Sequence, residues 1–99
     1  MIIEMQKIAD AVTKVTEIPF AEIASASKKE DVVLSRKLFV HFAVAQGFPT
    51  SMIAKEICKT ASAVRILNMK DYRKIYEIFS TRIKEILTIK NVALPFDML

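Results

Sequence analysis

Thr50-Ser51-Met52-Ile53-Ala54-Lys55-Glu56-Ile57-Cys58-Lys59-Thr60-Ala61-Ser62-Ala63-Val64-Arg65-Ile66-Leu67-Asn68-Met69 is the stretch whose reading decides the fold. Ile53 and Ile57 are spaced by one helical turn, and so are Val64 and Leu67, which gives each half a single apolar stripe. Thr50 or Ser51 can cap the first short helix and Thr60 the second, because a hydroxyl ahead of such a stripe accepts a bond from an otherwise orphaned backbone N–H. Two short helices joined by a turn of about four residues have helix-turn-helix spacing. With Val64 and Leu67 turned inward, Ser62, Ala63, Arg65 and Lys70 are expected to face out. Thr60 and Ser62 would then offer hydroxyls and N–H groups to phosphates or base edges.

Upstream of this stretch, Gly47 is a natural left-handed helix stop and Pro49 follows it, as commonly happens just past a helix end. Before that stop the chain runs apolar from Val32 to Ala45, interrupted only by Ser35, Arg36, Lys37 and His41, and reads as a long helix buried nearly all round. Asp31 suits its start, where a carboxylate meets the positive end of the helix dipole. Met5, Ile8, Val12 and Val15 predict a first helix over residues 2–15. Pro19 pushes Ile18 toward extended geometry, after which residues 20–23 can make one helical turn. Ser25, Ser27, Lys28 and Lys29 form a polar loop.

Downstream, Tyr72, Ile75, Phe79, Ile83 and Ile86 repeat at steps of three and four, predicting a helix from Asp71 to about Ile89. The spacing of Tyr72, Tyr76 and Phe79 favours core packing over base stacking. Ile78 lies off that stripe and widens the apolar face, which leaves a homodimer or protein seam on this helix open. Residues 91–99 read as a short C-terminal tail whose Leu94, Phe96 and Leu99 could pack back on a single domain spanning residues 1–90. No alternating pattern argues for a strand.

Composition narrows the chemistry. The chain has 99 residues, 53% hydrophobic and 26% charged, which suits one packed domain. Gly47 is its only glycine and His41 its only histidine, so no glycine-rich phosphate loop and no Cys/His zinc cluster can be built, and no cofactor or metal is expected. Cys58, the single cysteine, cannot staple its own chain and reads as a small space-filling hydrophobe. His41 has no partner at a defined spacing, so neither residue carries a catalytic role, and the chain is expected not to be an enzyme. No segment approaches the roughly 18 uninterrupted apolar residues of a membrane span, and the N-terminus lacks the pattern of a signal peptide, so a cytoplasmic location is expected.

The net charge of +4 is unevenly placed. Residues 1–27 hold two bases against four acids, whereas residues 28–90 hold the other thirteen bases against six acids. A basic body of this kind suits a polyanion partner or a solvated lysine-rich surface.

Ile8-Ala9-Asp10-Ala11-Val12, Ile18-Pro19-Phe20-Ala21-Glu22-Ile23, Ser27-Lys28-Lys29, Ser35-Arg36-Lys37-Leu38-Phe39-Val40, Ser51-Met52-Ile53-Ala54 and Ser62-Ala63-Val64, in that order over residues 5–89, resemble the C-terminal DNA-binding domain of the bacterial replication initiator DnaA. The resemblance implies an all-α bundle of five or six helices, Trp-repressor-like in its helix-turn-helix, and a bacterial role in replication or transcription regulation. It implies that Arg36, at the start of the long helix, enters the minor groove, that Lys28 and Lys29 form a basic loop on the backbone, and that Lys59 to Ser62 begin the recognition helix. The chain departs from the family where bases are read. The family's Gly-Gly-Arg-Asp-His-Thr-Thr-Val is here Ile57-Cys58-Lys59-Thr60-Ala61-Ser62-Ala63-Val64, which removes the aspartate, the histidine and a threonine hydroxyl. Ala61 and Ala63 can touch a thymine methyl but cannot hydrogen-bond a base edge.

The expected function is that of a non-enzymatic module for double-stranded DNA, with Lys28, Lys29, Arg36, Lys59, Thr60, Ser62 and Arg65 as its contacts. The alternative is a DnaA-like domain that lost base readout and serves protein interaction or dimerisation. The first reading requires the cations to share one surface, the second a contiguous apolar patch.

Overall fold

Fourteen residues between Val32 and Ala45 supply too many apolar side chains for one face, and the helix they form is the centre about which the others pack. The computed structural model describes residues 1–90, and the expected tail at 91–99 lies outside them. Six helices follow one another: α1 (Ile3–Thr16), α2 (Phe20–Ile23), α3 (Glu30–Ala45), α4 (Thr50–Glu56), α5 (Ala61–Leu67) and α6 (Lys74–Lys90). The described residues contain no strand.

α3 meets every other helix, and α1 and α6 also pack on each other, closing a core on Leu38, Phe39, Val40 and Ala43 from α3. α1 contributes Met5, Ile8, Ala9, Ala11, Val12 and Val15, which line up on one face as their three-and-four spacing dictates. Phe20 of α2 meets the ring of fully buried Phe39 edge-on, with centroids 5.1 Å apart.

The helix ends explain how the chain reverses in so little length. Gly47 takes φ +91°, its N–H bonding the carbonyl of Val44 while Phe48 N–H reaches back to Ala43, which closes α3 with a Schellman motif. The end of α4 repeats that geometry without a glycine. Cys58 takes φ 56°, its N–H bonding Lys55 and Lys59 N–H bonding Ala54. α5 then begins with the expected cap, Thr60 Oγ1 accepting from Ala63 N–H at 3.1 Å. α4 has no side-chain cap: Pro49 precedes it, and Thr50 is its first helical residue rather than the residue before it.

Two expectations for the last helix are corrected. It begins at Lys74, three residues later than Asp71, because the Asp71 carboxylate binds Arg73 and the Lys37 ammonium of α3 instead of the helix end. Tyr72 therefore precedes the helix and stands 83% exposed, while Tyr76, Phe79, Ile83, Ile86 and Leu87 face the core. Cys58 is likewise exposed, since its left-handed position sits on the outside of the turn, and fills no space in the core.

Candidate nucleic-acid interface

The seven residues singled out from the sequence separate into four groups by what their side chains touch. Arg36 is the one the structure removes from the surface. It is 4% exposed, and its guanidinium donates to the carbonyl oxygens of Ile23 at 2.7 Å, Ser25 at 2.9 Å and Ser27 at 3.1 Å, with Glu22 at 3.5 Å. The expected minor-groove arginine is instead an internal strut. The physical reason lies at the end of α2 and in the loop after it, where the Ile23 and Ser27 carbonyls have no helical partner. A planar fork of donors satisfies them together. Burial lowers the Arg36 pKa, and no carboxylate among the described residues pairs with it.

Loop 24–29 is stiffened from within as well. Ser25 Oγ donates to Glu22 O at 2.6 Å and accepts from Ser27 N–H, and Ser27 Oγ accepts from Lys29 N–H. Lys28 and Lys29 are thus exposed on a braced loop.

Lys59 joins this loop to the turn between α4 and α5. Its ammonium donates to Ser25 O at 2.9 Å, the same oxygen that Arg36 reaches from the other side. Lys59 is half-buried by this contact, which brings the turn and the Lys28-Lys29 loop together. Its charge remains at the junction, although one of its donors is committed to the protein.

Thr60, Ser62 and Arg65 are exposed on the second short helix and its approach. Thr60 Oγ1 accepts the cap bond and keeps its own O–H to donate. Val64 is fully buried and Leu67 half-buried, holding α5 to α3 as their spacing predicts. Sequence reading missed Ile66 and Met69, which are each 65% exposed beside Arg65. Ile66 lies on α5, four residues from Ser62, and Met69 lies two residues past its end.

A cleft lies between α3 and α6. It measures about 420 Å³ and is lined by His41, Lys70, Tyr72, Tyr76 and Lys84 among others. The His41 ring meets Phe42 and Tyr76 edge-on at 5.4 and 6.2 Å. Partial burial, with Lys84 nearby, holds His41 below the usual histidine range. Burial pushes Tyr76 up to about 12. No group of three or more His, Cys, Asp or Glu side chains among the described residues could hold a metal ion, and none of their helices is long and apolar enough to cross a membrane.

No protein family, curated protein or solved structure matches the chain. The surface must therefore be read from its own chemistry. Lys59 is bonded to Ser25 in the loop that carries Lys28 and Lys29, Ser62 and Arg65 stand exposed on α5, and Arg36 is buried and bonded to the same loop.

Proposed function

We propose that the chain is a non-enzymatic module for double-stranded DNA, with α4, the 57–60 turn and α5 acting as a helix-turn-helix. The observation that carries this reading is the Lys59–Ser25 hydrogen bond, which seats the basic loop beside the start of α5. A recognition helix in the major groove needs cations on the flanking backbone to fix its register. Lys28 and Lys29 suit that role on a braced loop. Arg65 and Lys70 extend the charge along α5 and beyond it, and residues 50–70 hold four bases against Glu56 alone.

Four side chains of this surface, Lys28, Lys29, Arg65 and Lys70, are free of ion pairs with the described residues. Neutralising about four phosphates makes affinity fall on the order of a hundredfold between 50 and 200 mM salt. Fluorescence anisotropy of a labelled duplex at the two salt concentrations measures this. No binding to any duplex at tens of micromolar protein in the lower salt would overturn the reading.

One further observation favours the interaction reading. Met1, Ile2, Ile3 and Met52 are large apolar side chains left 38–70% exposed, and three of them line a shallow groove with Met5 and Pro49. Sedimentation at micromolar concentration, with Met52→Lys as the comparison, shows whether that surface joins two copies.

A further inference from the structure

The cleft between α3 and α6, at about 420 Å³, has the size of a small-molecule site, roughly 300–1,000 Å³, and its walls change character along its length. Tyr76, Ser80 and Lys84 stand one turn apart on α6, so together they mark out about 12 Å of its wall. One end is aromatic. It holds Tyr76 and, from the segment before α6, Tyr72, which is 83% exposed and has the Lys70 ammonium 5.2 Å from its ring centroid. The other end holds the Lys84 ammonium and the Ser80 hydroxyl. His41 of α3 stands between them: its ring meets Tyr76 edge-on at 6.2 Å, and burial and then the Lys84 charge lower its pKa.

The charges lining this cleft do not cancel. Asp71 is taken up by Arg73 and by Lys37. Lys70 and Lys84 have no ion pair with the described residues, and the lining acid left to oppose them, Glu77, lies two helical turns from Lys84. A ligand complementary to these walls carries a flat ring at one end and negative charge at the other. The kind of anion follows from the donors. Lysine meets phosphate as a point charge, and tetrahedral phosphate oxygens can take donors that converge from different elements, here Lys84, Ser80 and a protonated His41. A planar carboxylate is matched by a guanidinium fork, and the fork of Arg73 is already closed on Asp71.

We propose that this cleft binds a small planar ring bearing a phosphate monoester, the chemistry of a nucleoside monophosphate, with the ring against Tyr72 and Tyr76 and the phosphate at Lys84, Ser80 and His41. Of the residues assigned above to duplex DNA, only Lys70 is shared, so the site stands whether or not the chain binds a duplex. Binding should also change His41. The groups that face it are Tyr76, Glu77 and Lys84 on α6, Lys37 on its own helix, and Lys70 with the Asp71–Arg73 pair. A phosphate dianion added beside Lys84 opposes that lysine's charge, so the imidazole should hold its proton to higher pH in the complex.

His41 is the only histidine of the chain, so its imidazole gives one proton resonance that reports on the cleft. Adenosine monophosphate, adenosine and inorganic phosphate are each titrated to about 10 mM, with NMR following that resonance and calorimetry the affinity. The nucleotide should bind with a Kd of about 1 mM or below, and adenosine and phosphate about tenfold more weakly, since each fills one end. Saturation with the nucleotide should raise the His41 pKa. Lys84→Ala should weaken the nucleotide by about tenfold, the loss of one charged hydrogen bond, and leave adenosine unchanged. Tyr72→Ala should weaken nucleotide and adenosine alike by about tenfold, the loss of one stacked ring. Circular dichroism should find both variants folded, because both positions are exposed. Absence of nucleotide binding overturns the proposal. So does inorganic phosphate binding as tightly as the nucleotide, which makes this an anion site without a ring. Nucleotide affinity unmoved by either substitution overturns it too, since the ligand then sits elsewhere on the basic surface.

Discussion

Arg36 carries a buried charge whose partners are backbone carbonyls and not a carboxylate, so its stability contribution depends on geometry more than on charge. Three carbonyls within 3.1 Å come from two different segments, the end of α2 and the loop after it. Arg36→Ala would take this donor from the Ile23 and Ser27 carbonyls and leave Ser25 O to Lys59 alone, and the cost of stranding even one such group is about 1–3 kcal/mol. We expect Arg36→Ala to lower stability by about 3 kcal/mol, which urea unfolding measures as a lower midpoint. Arg36→Lys should recover little of that, because a single ammonium cannot reach carbonyls spread across a planar fork. Arg65→Ala, at an exposed position, should leave the midpoint within about 0.5 kcal/mol of the parent and act on DNA binding alone. A variant at Arg36 as stable as the parent would show that the loop carbonyls find water instead.

At the scale of the elements, two helix ends of the same shape are built from different residues, and they predict opposite responses. Gly47 at φ +91° has open space where a Cβ would stand, so Gly47→Ala incurs only backbone strain, about 1–2 kcal/mol. Cys58 already bears that strain at φ 56°, and Cys58→Gly should raise stability by about 0.5–1 kcal/mol once the added chain entropy of glycine is set against it. Thermal unfolding of the two variants side by side should move the midpoint down for the first and up for the second. This pair also marks how far the sequence could be read. Gly47, Pro49 and Thr60 act on their immediate neighbours, so the break after α3 and the cap of α5 were legible from residue order. Cys58 gave no local sign of a left-handed turn. Asp71 looked like a helix start because residue order shows neither that Arg73, two residues on, folds back onto its carboxylate nor that Lys37, 34 residues back, meets it. Arg36 had one overlooked sign, that a helix apolar from Val32 to Ala45 leaves little room for an outward guanidinium, but its acceptors lie 9–14 residues back in a loop whose shape residue order does not fix. Among the candidate contacts, the lysines and Arg65 were legible as charge, whereas the Lys59–Ser25 bond that groups them was not.

The molecule as a whole should lose stability in acid in two separate stages, because two groups on the α3–α6 side have pKa values lowered from those of an unfolded chain. Asp71 accepts from Arg73 through Nε at 3.0 Å, Nη2 at 2.6 Å and the backbone N–H at 2.9 Å, and from Lys37 Nζ at 3.1 Å, with its side chain only 4% exposed. The Arg73 guanidinium above all, then its backbone N–H and Lys37, hold the carboxyl well below the usual carboxylate range against the opposing effect of burial. His41 is depressed by burial and then by Lys84. A depressed pKa means that the unfolded chain takes up the proton first, so stability is complete above the unfolded value and declines as pH falls through and below it. For His41 that decline begins near pH 6.5, and for Asp71 near pH 4. The second stage should be the larger, since Asp71 fastens the 71–73 segment to α3 through several charged hydrogen bonds, each worth about 1.5–3 kcal/mol to a charged group. Tyr76 sets the alkaline limit by the opposite sign: its proton is held to about 12, so the unfolded chain releases it first and stability falls above about pH 10. Urea midpoints measured across pH 3 to 11 test all three stages. Asp71→Asn should abolish the drop near pH 4 while lowering stability at neutral pH, His41→Gln should remove the drop below 6.5 and leave the others, and Tyr76→Phe should flatten the alkaline limb. A profile of the parent that stays level from pH 7 to 5 would show that His41 titrates as it does in the unfolded chain and that the cleft beside it is as wet as bulk solvent.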